Sequence, residues 1–261
     1  MTYAPFDLTG KVALVTGGNR GIGYGMAEAL AASNAHVAIW GRNAETNAEA
    51  VSTLSELGAG TVKAWSVDVA DEDAVVKAMA ETNEAFGRLD SVIANAGVGF
   101  GAPSFIDMDT ETYRKNMRVN LDGAFWTLRE AARCMVERAK AGDPGGSLVG
   151  VASLAAIEGA ARNEAYAATK GGLISMLKAI AVEYARYGIR ANAILPGWIA
   201  TDMTSYAQGN DTFENKVISR VPARRWGEPK DFGGVAVYLS SDASSYHSGD
   251  SLLVDGGYAI F

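Results

Sequence analysis

The sequence predicts a single α/β domain, in which helices cover both faces of a mostly parallel sheet of about seven strands. Short runs rich in β-branched residues alternate with longer amphipathic stretches along the chain, the pattern of a doubly wound fold. The strand runs are apolar throughout, which is typical of strands buried on both faces. The length of 261 residues fits one such domain, and we assign residues 1–261 to it.

The elements can be assigned in chain order. The predicted strands are short apolar runs: Lys11–Thr16, His36–Trp40, Thr61–Val67, Ser91–Ala94, Leu148–Val151, Ile189–Ile194 and Ser251–Val254. The predicted helices have apolar residues at helical spacing: Gly21–Ser33, Ala44–Leu57, Asp71–Phe86, Thr110–Lys140, Glu164–Tyr187 and Pro229–Ser240. Residues 198–222 are polar and weakly patterned, and long irregular insertions of this kind often serve as lids. We expect a substrate lid there.

Composition limits the classes of partner. The net charge of −7 argues against nucleic-acid and anionic-membrane partners, because both attract basic surfaces. No run approaches the roughly 18 apolar residues of a membrane span, and residues 1–10 lack the apolar core of a signal peptide. The one cysteine, Cys134, cannot form an internal disulfide, which fits a reducing compartment. We expect a cytoplasmic protein, and in the absence of a Cys/His cluster we expect no metal site.

A glycine-rich segment lies at the first strand-to-helix turn. It reads Thr16-Gly17-Gly18-Asn19-Arg20-Gly21-Ile22-Gly23. Glycines at this position let the backbone turn tightly and approach a pyrophosphate, whose charge a helix N-terminus stabilises. A merely structural turn is the alternative, because 30 glycines make chance matches common. The position directly after the first strand favours a dinucleotide site.

The loop after the second predicted strand indicates which dinucleotide binds. A cofactor without a 2′-phosphate usually meets an acidic residue in this loop. This sequence has Gly41 and Arg42 there, and Arg20 in the glycine-rich segment. Two guanidinium groups suit a phosphate dianion, so NADP is expected and NAD is the alternative. Two solvated surface arginines are the other interpretation of the same residues.

Three further residues indicate acid–base chemistry. Tyr166 and Lys170 are four positions apart in a predicted helix, which places them on one face. A free tyrosine has a pKa of about 10, and a lysine cation and a positive nicotinamide ring nearby would lower it. Ser153 follows the fifth predicted strand, at the carboxyl edge where open α/β sheets bind ligands. The Tyr–Lys pair alone is common by chance and usually lies on a helix surface, and Ser153 strengthens the signal.

The chain resembles the short-chain dehydrogenase/reductase family, a Rossmann-type fold, over about residues 7–258. The resemblance depends on motifs in the family's order: Thr16-Gly17, Gly21-Ile22-Gly23, Asp68-Val69, Asn95-Ala96-Gly97, Asn120, Ser153, Tyr166 with Lys170, Pro196-Gly197 and Thr201. Each motif is weak alone, and together they are specific.

The resemblance implies a catalytic tetrad. Tyr166 would exchange a proton with the substrate oxygen, and Ser153 would hold that oxygen. Lys170 would bond the nicotinamide ribose and lower the pKa of Tyr166. Asn120 would anchor a water that continues the proton path to Lys170.

The resemblance also implies a cofactor site along the carboxyl edge of the sheet. Asp68 and Val69 would contact the adenine, and residues 95–97 would line the cofactor beside the fourth strand. Residues 196–201 would hold the nicotinamide end. The implied cofactor-binding residues are Gly17, Asn19, Arg20, Gly21, Ile22, Gly23, Arg42, Asp68, Val69, Asn95, Ala96, Gly97, Tyr166, Lys170, Pro196, Gly197, Ile199 and Thr201.

The implied activity is hydride transfer between a nicotinamide cofactor and a carbonyl or secondary alcohol of a small molecule. A 3-oxoacyl thioester reductase and a sugar or other small-alcohol dehydrogenase remain alternatives. The former should have basic residues at the site mouth, for which Arg162, Arg224 and Arg225 are candidates. A catalytically silent dinucleotide sensor is another alternative, although Ser153 and the Tyr–Lys pair are all present.

We expect a homotetramer. The resemblance implies pairing through the long helix and the catalytic helix, and small residues in both would permit close approach. They are Ala124, Ala131 and Ala132 in the long helix, and Ala167, Ala168, Gly171 and Gly172 in the catalytic helix. The apolar end of the chain, Ile260 and Phe261, indicates a further contact surface. Folding of this tail back onto its own subunit is the alternative.

Overall fold

The computed structural model describes residues 4–261, so the first three residues of the predicted domain lie outside the described part. Within it, parallel strands form one seven-stranded sheet in the order β3-β2-β1-β4-β5-β6-β7. The predicted α/β class with a sheet of about seven strands is therefore confirmed. The strands are β1 Val12–Thr16, β2 His36–Gly41, β3 Val62–Ser66, β4 Ser91–Ala94, β5 Gly146–Val151, β6 Ile189–Pro196 and β7 Ser251–Val254.

The helices cover the two faces of the sheet. They are α1 Gly21–Ala32, α2 Ala44–Leu54, α3 Glu72–Phe86, α4 Thr110–Met117, α5 Gly123–Lys140, α6 Glu164–Tyr184, α7 Asp211–Val217 and α8 Gly233–Ser240. Helices α3, α5 and α6 contribute to one buried cluster, and α1, α2 and α8 contribute to another. Leu14 belongs to the first cluster and its neighbour Val15 to the second, because successive side chains of a strand point to opposite faces. Burial on both faces explains the continuous apolar runs.

The long helical stretch predicted over residues 110–140 is interrupted in the structure. A π-helical turn, Arg118–Asp122, separates α4 from α5. Such turns are often found at functional sites, because the extra residue in the turn redirects a side chain. The turn contains Asn120, which is buried.

Residues 198–222 contain more regular structure than their weak pattern predicts. Helix α7 lies in this segment, with 3₁₀ turns at Asp202–Thr204 and Ile218–Arg220. The side chain of Asn210 caps α7 by accepting a 3.1 Å hydrogen bond from the Phe213 amide. This capping signal was overlooked in the sequence because the helix is short.

The topology determines where a ligand can bind. Strands β1, β2 and β3 follow one another towards one edge of the sheet, and β4 then pairs with the other side of β1. Open α/β sheets bind ligands at the carboxyl ends of their strands, at this reversal of strand order. No helix within residues 4–261 is both long and apolar enough to cross a bilayer.

Candidate active site

The glycine-rich turn after β1 is shaped for an anion. Gly17 and Gly21 have φ values of 64° and 55°, a backbone region that favours glycine. A Cβ atom at Gly23 would lie 2.2 Å from the Gly17 carbonyl oxygen, so only glycine fits there. Helix α1 starts at Gly21, and no side-chain hydrogen bond caps its N-terminus. Its first amide groups can therefore bind a phosphate.

The ends of β1 and β4 are tied together at the reversal of strand order. The Thr16 hydroxyl accepts hydrogen bonds of 2.9 Å from the amides of Asn95 and Ala96. The Asn95 side chain donates a 2.8 Å hydrogen bond to the Thr16 carbonyl. These bonds hold the predicted residues 95–97 beside the glycine-rich turn. The role of the Thr16 hydroxyl was missed, because it lies in contacts between distant strands.

The end of β2 meets the same turn. The Asn19 side chain donates 2.9 Å hydrogen bonds to Thr46 and Asn47 at the start of α2. A Cβ atom at Gly41 would lie 2.4 Å from the Asn19 side-chain nitrogen, which accounts for glycine at this position. Arg42 follows directly, is exposed, and forms no ion pair with a described residue.

Arg20 has a partner that the sequence did not indicate. Its guanidinium lies 3.4 Å from the carboxylate of Asp202, in the segment 198–222, and both side chains are exposed. Thr201, the residue before Asp202, also approaches the start of α1. Its Cγ2 atom lies 3.5 Å from the position that a Cβ atom would occupy if Gly21 had a side chain. The segment 198–222 therefore reaches across to the glycine-rich turn.

The predicted adenine-contacting residues follow β3. Asp68 is exposed, and one carboxylate oxygen accepts a 3.0 Å hydrogen bond from the Ala70 amide. Val69 is buried, and its carbonyl oxygen lies 2.7 Å from the position of a Cβ at Gly123. Glycine at the first residue of α5 thus allows this helix to lie close to the loop.

The predicted catalytic residues converge at the carboxyl end of β5 and the amino end of α6. Ser153 lies just beyond β5, and its hydroxyl accepts a 3.1 Å hydrogen bond from the Ala155 amide. Lys170 is 4% exposed and donates a 2.8 Å hydrogen bond to the Val151 carbonyl. The Lys170 nitrogen lies 5.5 Å from the centre of the Tyr166 ring. The structure therefore brings Ser153, Tyr166 and Lys170 to one place.

Burial changes the acidity of two of these groups. Burial lowers the pKa of Lys170 to about 8, because the charged ammonium loses water. Burial also raises the pKa of Tyr166, whereas its hydrogen bond with Ser153 lowers that pKa by a smaller amount. The lowering of this pKa by the Lys170 cation and a positive nicotinamide ring stays a prediction for the cofactor-bound protein.

Asn120 fixes the loop that follows β4. Its side chain accepts a 2.8 Å hydrogen bond from the Val98 amide and donates one of 2.9 Å to the Val98 carbonyl. A Cβ atom at Gly97 would lie 3.2 Å from the Asn120 side-chain oxygen and 3.5 Å from the Lys170 nitrogen. Asn120 and Lys170 thus both lie beside Gly97, on the side where a Cβ atom would point. An amide can form more bonds than these two, so Asn120 retains capacity for a water.

Asn116 has the same role one turn earlier and was not singled out in the sequence. It is fully buried, accepts a 3.2 Å hydrogen bond from the Phe100 amide and donates one of 2.8 Å to the Phe100 carbonyl. The spacing of four residues between Asn116 and Asn120 was the available signal, since it places both amides on one helical face.

The predicted nicotinamide-end residues follow β6. Pro196 is the last residue of β6, and the Gly197 amide donates a 3.0 Å hydrogen bond to the Val254 carbonyl. Ile199 is buried and forms a bridge with Gly227. Thr201 caps the 3₁₀ turn that begins at Asp202. These contacts hold the start of the segment 198–222 against the sheet edge.

The loops that follow β4 and β5, and the segment 198–222, contain exposed apolar side chains. They are Phe100, Phe105, Ile157 and Tyr206, whereas Leu154 is buried. Trp198 packs edge-on against Phe213 and Trp226, with ring centres 5.0 and 6.4 Å away.

The three arginines expected at the site mouth, Arg162, Arg224 and Arg225, differ in their contacts. Arg225 is held by two hydrogen bonds of 2.6 and 2.9 Å to Asp231. Arg224 donates to the Ser219 carbonyl, and Arg162 is exposed. Arg225 is therefore not free to bind an acidic ligand.

Comparisons with known proteins show similarity over nearly the whole chain. A family model described as enoyl-(acyl carrier protein) reductase matches residues 17–259. L-rhamnose 1-dehydrogenase (NAD(P)(+)) of Azotobacter vinelandii is 41% identical over 258 residues, covering 97% of this chain and 98% of that protein. Gluconate 5-dehydrogenase of Gluconobacter oxydans is 35% identical over 257 residues, covering 98% of this chain and 97% of that protein.

A solved structure is similarly close. A protein from Beutenbergia cavernae, solved with bound NADP, has a TM-score of 0.91 at 34% identity, and the match covers 98% of this chain and 100% of that one. Similarity at this level over nearly the whole length confirms the resemblance drawn from the motifs. The chain belongs to the short-chain dehydrogenase/reductase family.

Proposed function

We propose that this chain is an NADP-preferring dehydrogenase that transfers a hydride between the nicotinamide and a secondary alcohol or carbonyl of a sugar or sugar acid. The observation that carries the proposal is the convergence of Ser153, Tyr166 and Lys170 at the same sheet edge as an uncapped, glycine-rich helix start. Membership of the family and the named activities of the sugar dehydrogenase relatives support it.

The residues present fit a dinucleotide. The α1 N-terminus offers free amides, and the close approach of Gly17 and Gly23 leaves the backbone accessible to a pyrophosphate. When bound, the nicotinamide supplies the hydride acceptor or donor. Residues 95–97 and 196–201 would line the cofactor, and Asp68 with Val69 would contact its adenine.

The protein's own residues would move the proton. During oxidation Tyr166, as phenolate, would accept the proton of the substrate hydroxyl, and the Ser153 hydroxyl would hold the same oxygen. Because burial raises the pKa of Tyr166, the phenolate needs a positive charge beside it. Lys170, held by the Val151 carbonyl, lies close enough to supply one when protonated. Asn120 would anchor the water that passes the proton onward.

Arg42 supports the preference for NADP. It follows β2, where a 2′-phosphate would be recognised, and no described residue neutralises it. Arg20 would contribute from the glycine-rich turn after leaving Asp202. The related structure with bound NADP and the relative named for NAD(P) are consistent with this choice, and NAD remains the alternative cofactor.

The alternative of a 3-oxoacyl thioester reductase has less support. The family description favours acyl substrates, but Arg225 is paired with Asp231 and does not add positive charge to the mouth. A silent dinucleotide sensor is disfavoured because the Ser–Tyr–Lys geometry is complete.

We also propose that residues 198–222 act as the substrate lid. The Arg20–Asp202 ion pair and the approach of Thr201 to Gly21 support this proposal, because they bring the start of the segment to the glycine-rich turn. The exposed Tyr206 lies on it and would face a bound substrate.

For assembly we propose a homotetramer in the cytoplasm, with one change to the residues expected at its contacts. Ala124, Ala131 and Ala132 are buried in the chain's own core, because this face of α5 packs on the sheet. The exposed large apolar residues of the two helices are Phe125 and Val182, which are 43% and 82% exposed. Ile260 and Phe261 are also exposed, which supports a contact surface at the tail.

The purified chain should be assayed with NADP and NAD against L-rhamnose, gluconate, a simple ketone and a 3-oxoacyl thioester. We expect oxidation of a sugar or sugar acid, with higher kcat/KM for NADP, measured by absorbance of the reduced nicotinamide. Activity on the thioester alone would replace the sugar assignment. Cofactor binding without turnover of any substrate would favour the sensor.

A further inference from the structure

A polar cavity of about 240 Å³ lies at the edge of the sheet opposite the candidate active site. Its lining comes from residues at the amino ends of the strands. Lys11 precedes β1, Asp90 precedes β4, Ser147 lies at the start of β5 and Arg190 at the start of β6. The cavity therefore shares no lining residue with the proposed cofactor and substrate sites.

The charges around this cavity sum to a positive excess. Four cationic side chains and three carboxylates line it. The cations are Lys11, Arg88, Arg138 and Arg190, and the carboxylates are Asp90, Asp143 and Asp242. The excess stands out in a chain whose net charge is −7. A local positive field in a recess attracts anions.

The three carboxylates are each paired with a cation of the lining: Asp242 lies 3.5 Å from Lys11, Asp143 lies 3.0 Å from Arg138, and Asp90 is held by Arg88. Both oxygens of Asp90 are occupied. One accepts hydrogen bonds of 2.9 Å from the Val12 amide and 2.8 Å from Arg88, and the other accepts one of 2.7 Å from Arg88. Arg138 contributes a further contact of 3.6 Å. Asp90 is thus a neutralised structural group.

Arg190 is the cation that lacks a carboxylate. Its guanidinium donates 3.3 and 2.8 Å hydrogen bonds to the carbonyls of His247 and Leu239, and it forms no salt bridge with any residue from 4 to 261. Burial lowers the pKa of Arg190, which shows that the environment opposes its charge. A partly buried cation held only by carbonyls would be stabilised by an anion.

Two buried polar atoms of the lining have no partner. The Ser147 hydroxyl belongs to a residue that is 1% exposed, and the Arg138 Nε is also buried, yet neither forms a hydrogen bond among the described residues. Buried polar groups in native proteins are nearly always satisfied. The Arg138 Nε can only donate a hydrogen bond and the Ser147 hydroxyl is able to donate one, so an acceptor would satisfy both atoms.

We infer that this cavity binds a small tetrahedral oxyanion of the phosphate class, with Ser147, Arg138 and Arg190 as its donors. A cavity of about 240 Å³ exceeds the roughly 30 Å³ share of one water and can hold a phosphate group with part of an attached metabolite. Guanidinium groups and hydroxyls are the side chains that recognise phosphate oxygens. The site does not depend on the proposed dehydrogenase function.

The test is thermal unfolding of the full chain in inorganic phosphate, with potassium chloride of equal ionic strength as reference. We expect a saturable rise in Tm of about 3 °C in phosphate. Ser147→Ala should leave the Tm in chloride unchanged, because its hydroxyl bonds nothing in the protein, and should weaken the apparent Kd for phosphate about tenfold. Arg190→Gln should abolish the saturable response.

Ser91→Ala is the matched control. Ser91 lies beside Ser147 in register on β4 and is equally buried, but its hydroxyl is bonded to Ser240 at 2.8 Å. This variant should lose stability in chloride and keep the wild-type Kd for phosphate. Two other effects can raise the Tm in phosphate: binding of phosphate at the cofactor site, and the general stabilising effect of phosphate salts. Both effects would persist in Ser147→Ala, so the loss of affinity in that variant reports on the cavity alone.

A second arm replaces inorganic phosphate with a hexose phosphate, to distinguish the free ion from a phosphorylated metabolite. A Ser147-dependent rise with either ligand supports the site and identifies its form. The absence of a saturable rise with both ligands would overturn the proposal, as would an equal loss of affinity in Ser91→Ala and Ser147→Ala.

Discussion

The side-chain nitrogen of Lys170 donates a 2.8 Å hydrogen bond to the main-chain carbonyl of Val151, the last residue of β5. The bond joins the catalytic helix to the sheet edge that presents Ser153. It also holds the ammonium 5.5 Å from the Tyr166 ring in a buried environment. The acid–base properties of the proposed site therefore depend on a lysine whose position is set by backbone.

Tyr166→Phe should lower kcat by at least about 10²-fold, the scale of losing a general acid–base group. Binding of NADP, measured by fluorescence titration, should remain close to that of the wild type. Tyr184→Phe, at the end of the same helix, is the control and should retain full turnover. Near-normal turnover in Tyr166→Phe would contradict the assignment.

Lys170→Met should change how stability depends on pH. Unfolded Lys170 has its ordinary pKa of 10.5, whereas the folded residue has one of about 8, so unfolding takes up a proton between these pH values. The buried lysine therefore costs stability below pH 8, and this cost disappears as pH rises towards 10.5. The free energy of unfolding of wild type minus that of Lys170→Met should rise by up to about 3 kcal/mol across this window.

Urea unfolding of both proteins between pH 7 and pH 10 measures that difference. The contributions of all other titrating groups are common to the two proteins and cancel in the difference. Lys178→Met, on an exposed turn of the same helix, should give a flat difference. A flat difference for Lys170→Met as well would show that its pKa is not lowered.

Arg42→Glu should shift the cofactor preference towards NAD. The change removes a free cation from the proposed 2′-phosphate site and adds an acceptor for ribose hydroxyls. The ratio of kcat/KM for NADP to that for NAD should fall by at least about tenfold, a modest value because the site is exposed. Arg186→Glu serves as a surface control, and an unchanged ratio in Arg42→Glu would exclude Arg42 as the selector.

Asn116→Ala should loosen the loop after β4. The substitution leaves the amide and carbonyl of Phe100 without their partner, which should cost about 2 kcal/mol in urea unfolding. This loop follows residues 95–97 at the sheet edge that carries Ser153, and we expect it to line the substrate pocket. KM for substrate should therefore rise more than kcat falls. A loss of stability without any change in KM would separate the loop from substrate binding.

The assembly can be measured by light scattering. We expect a mass near four times the 27.3 kDa of one chain at micromolar concentration. Val182→Glu should reduce that mass, because it places a charge on the exposed face of α6, whereas Val76→Glu on α3 should not. A wild-type mass near that of one chain would rule out the tetramer.

Local pattern accounts for most of the fold. The alternation of apolar runs with amphipathic stretches predicted every strand with bounds that differ by two residues or less from those observed. The glycine-rich turn and the Tyr166–Lys170 spacing could also be recognised in the sequence, because tight turns and helical faces depend on residues close in sequence. Burial of Ala131 against the sheet was misjudged, because small residues fit a core and an interface equally well.

By itself, the sequence determined the succession of the strands and most of the helices along the chain, the place of the glycine-rich turn and the identity of the candidate catalytic residues. Only the tertiary structure decided how these residues meet. The π-helical turn that aims Asn120 at Val98, the Arg20–Asp202 pair and the carbonyl that holds Lys170 all join distant positions. Such contacts form only when strands far apart in the chain lie side by side, and a main-chain carbonyl has no signature in residue type.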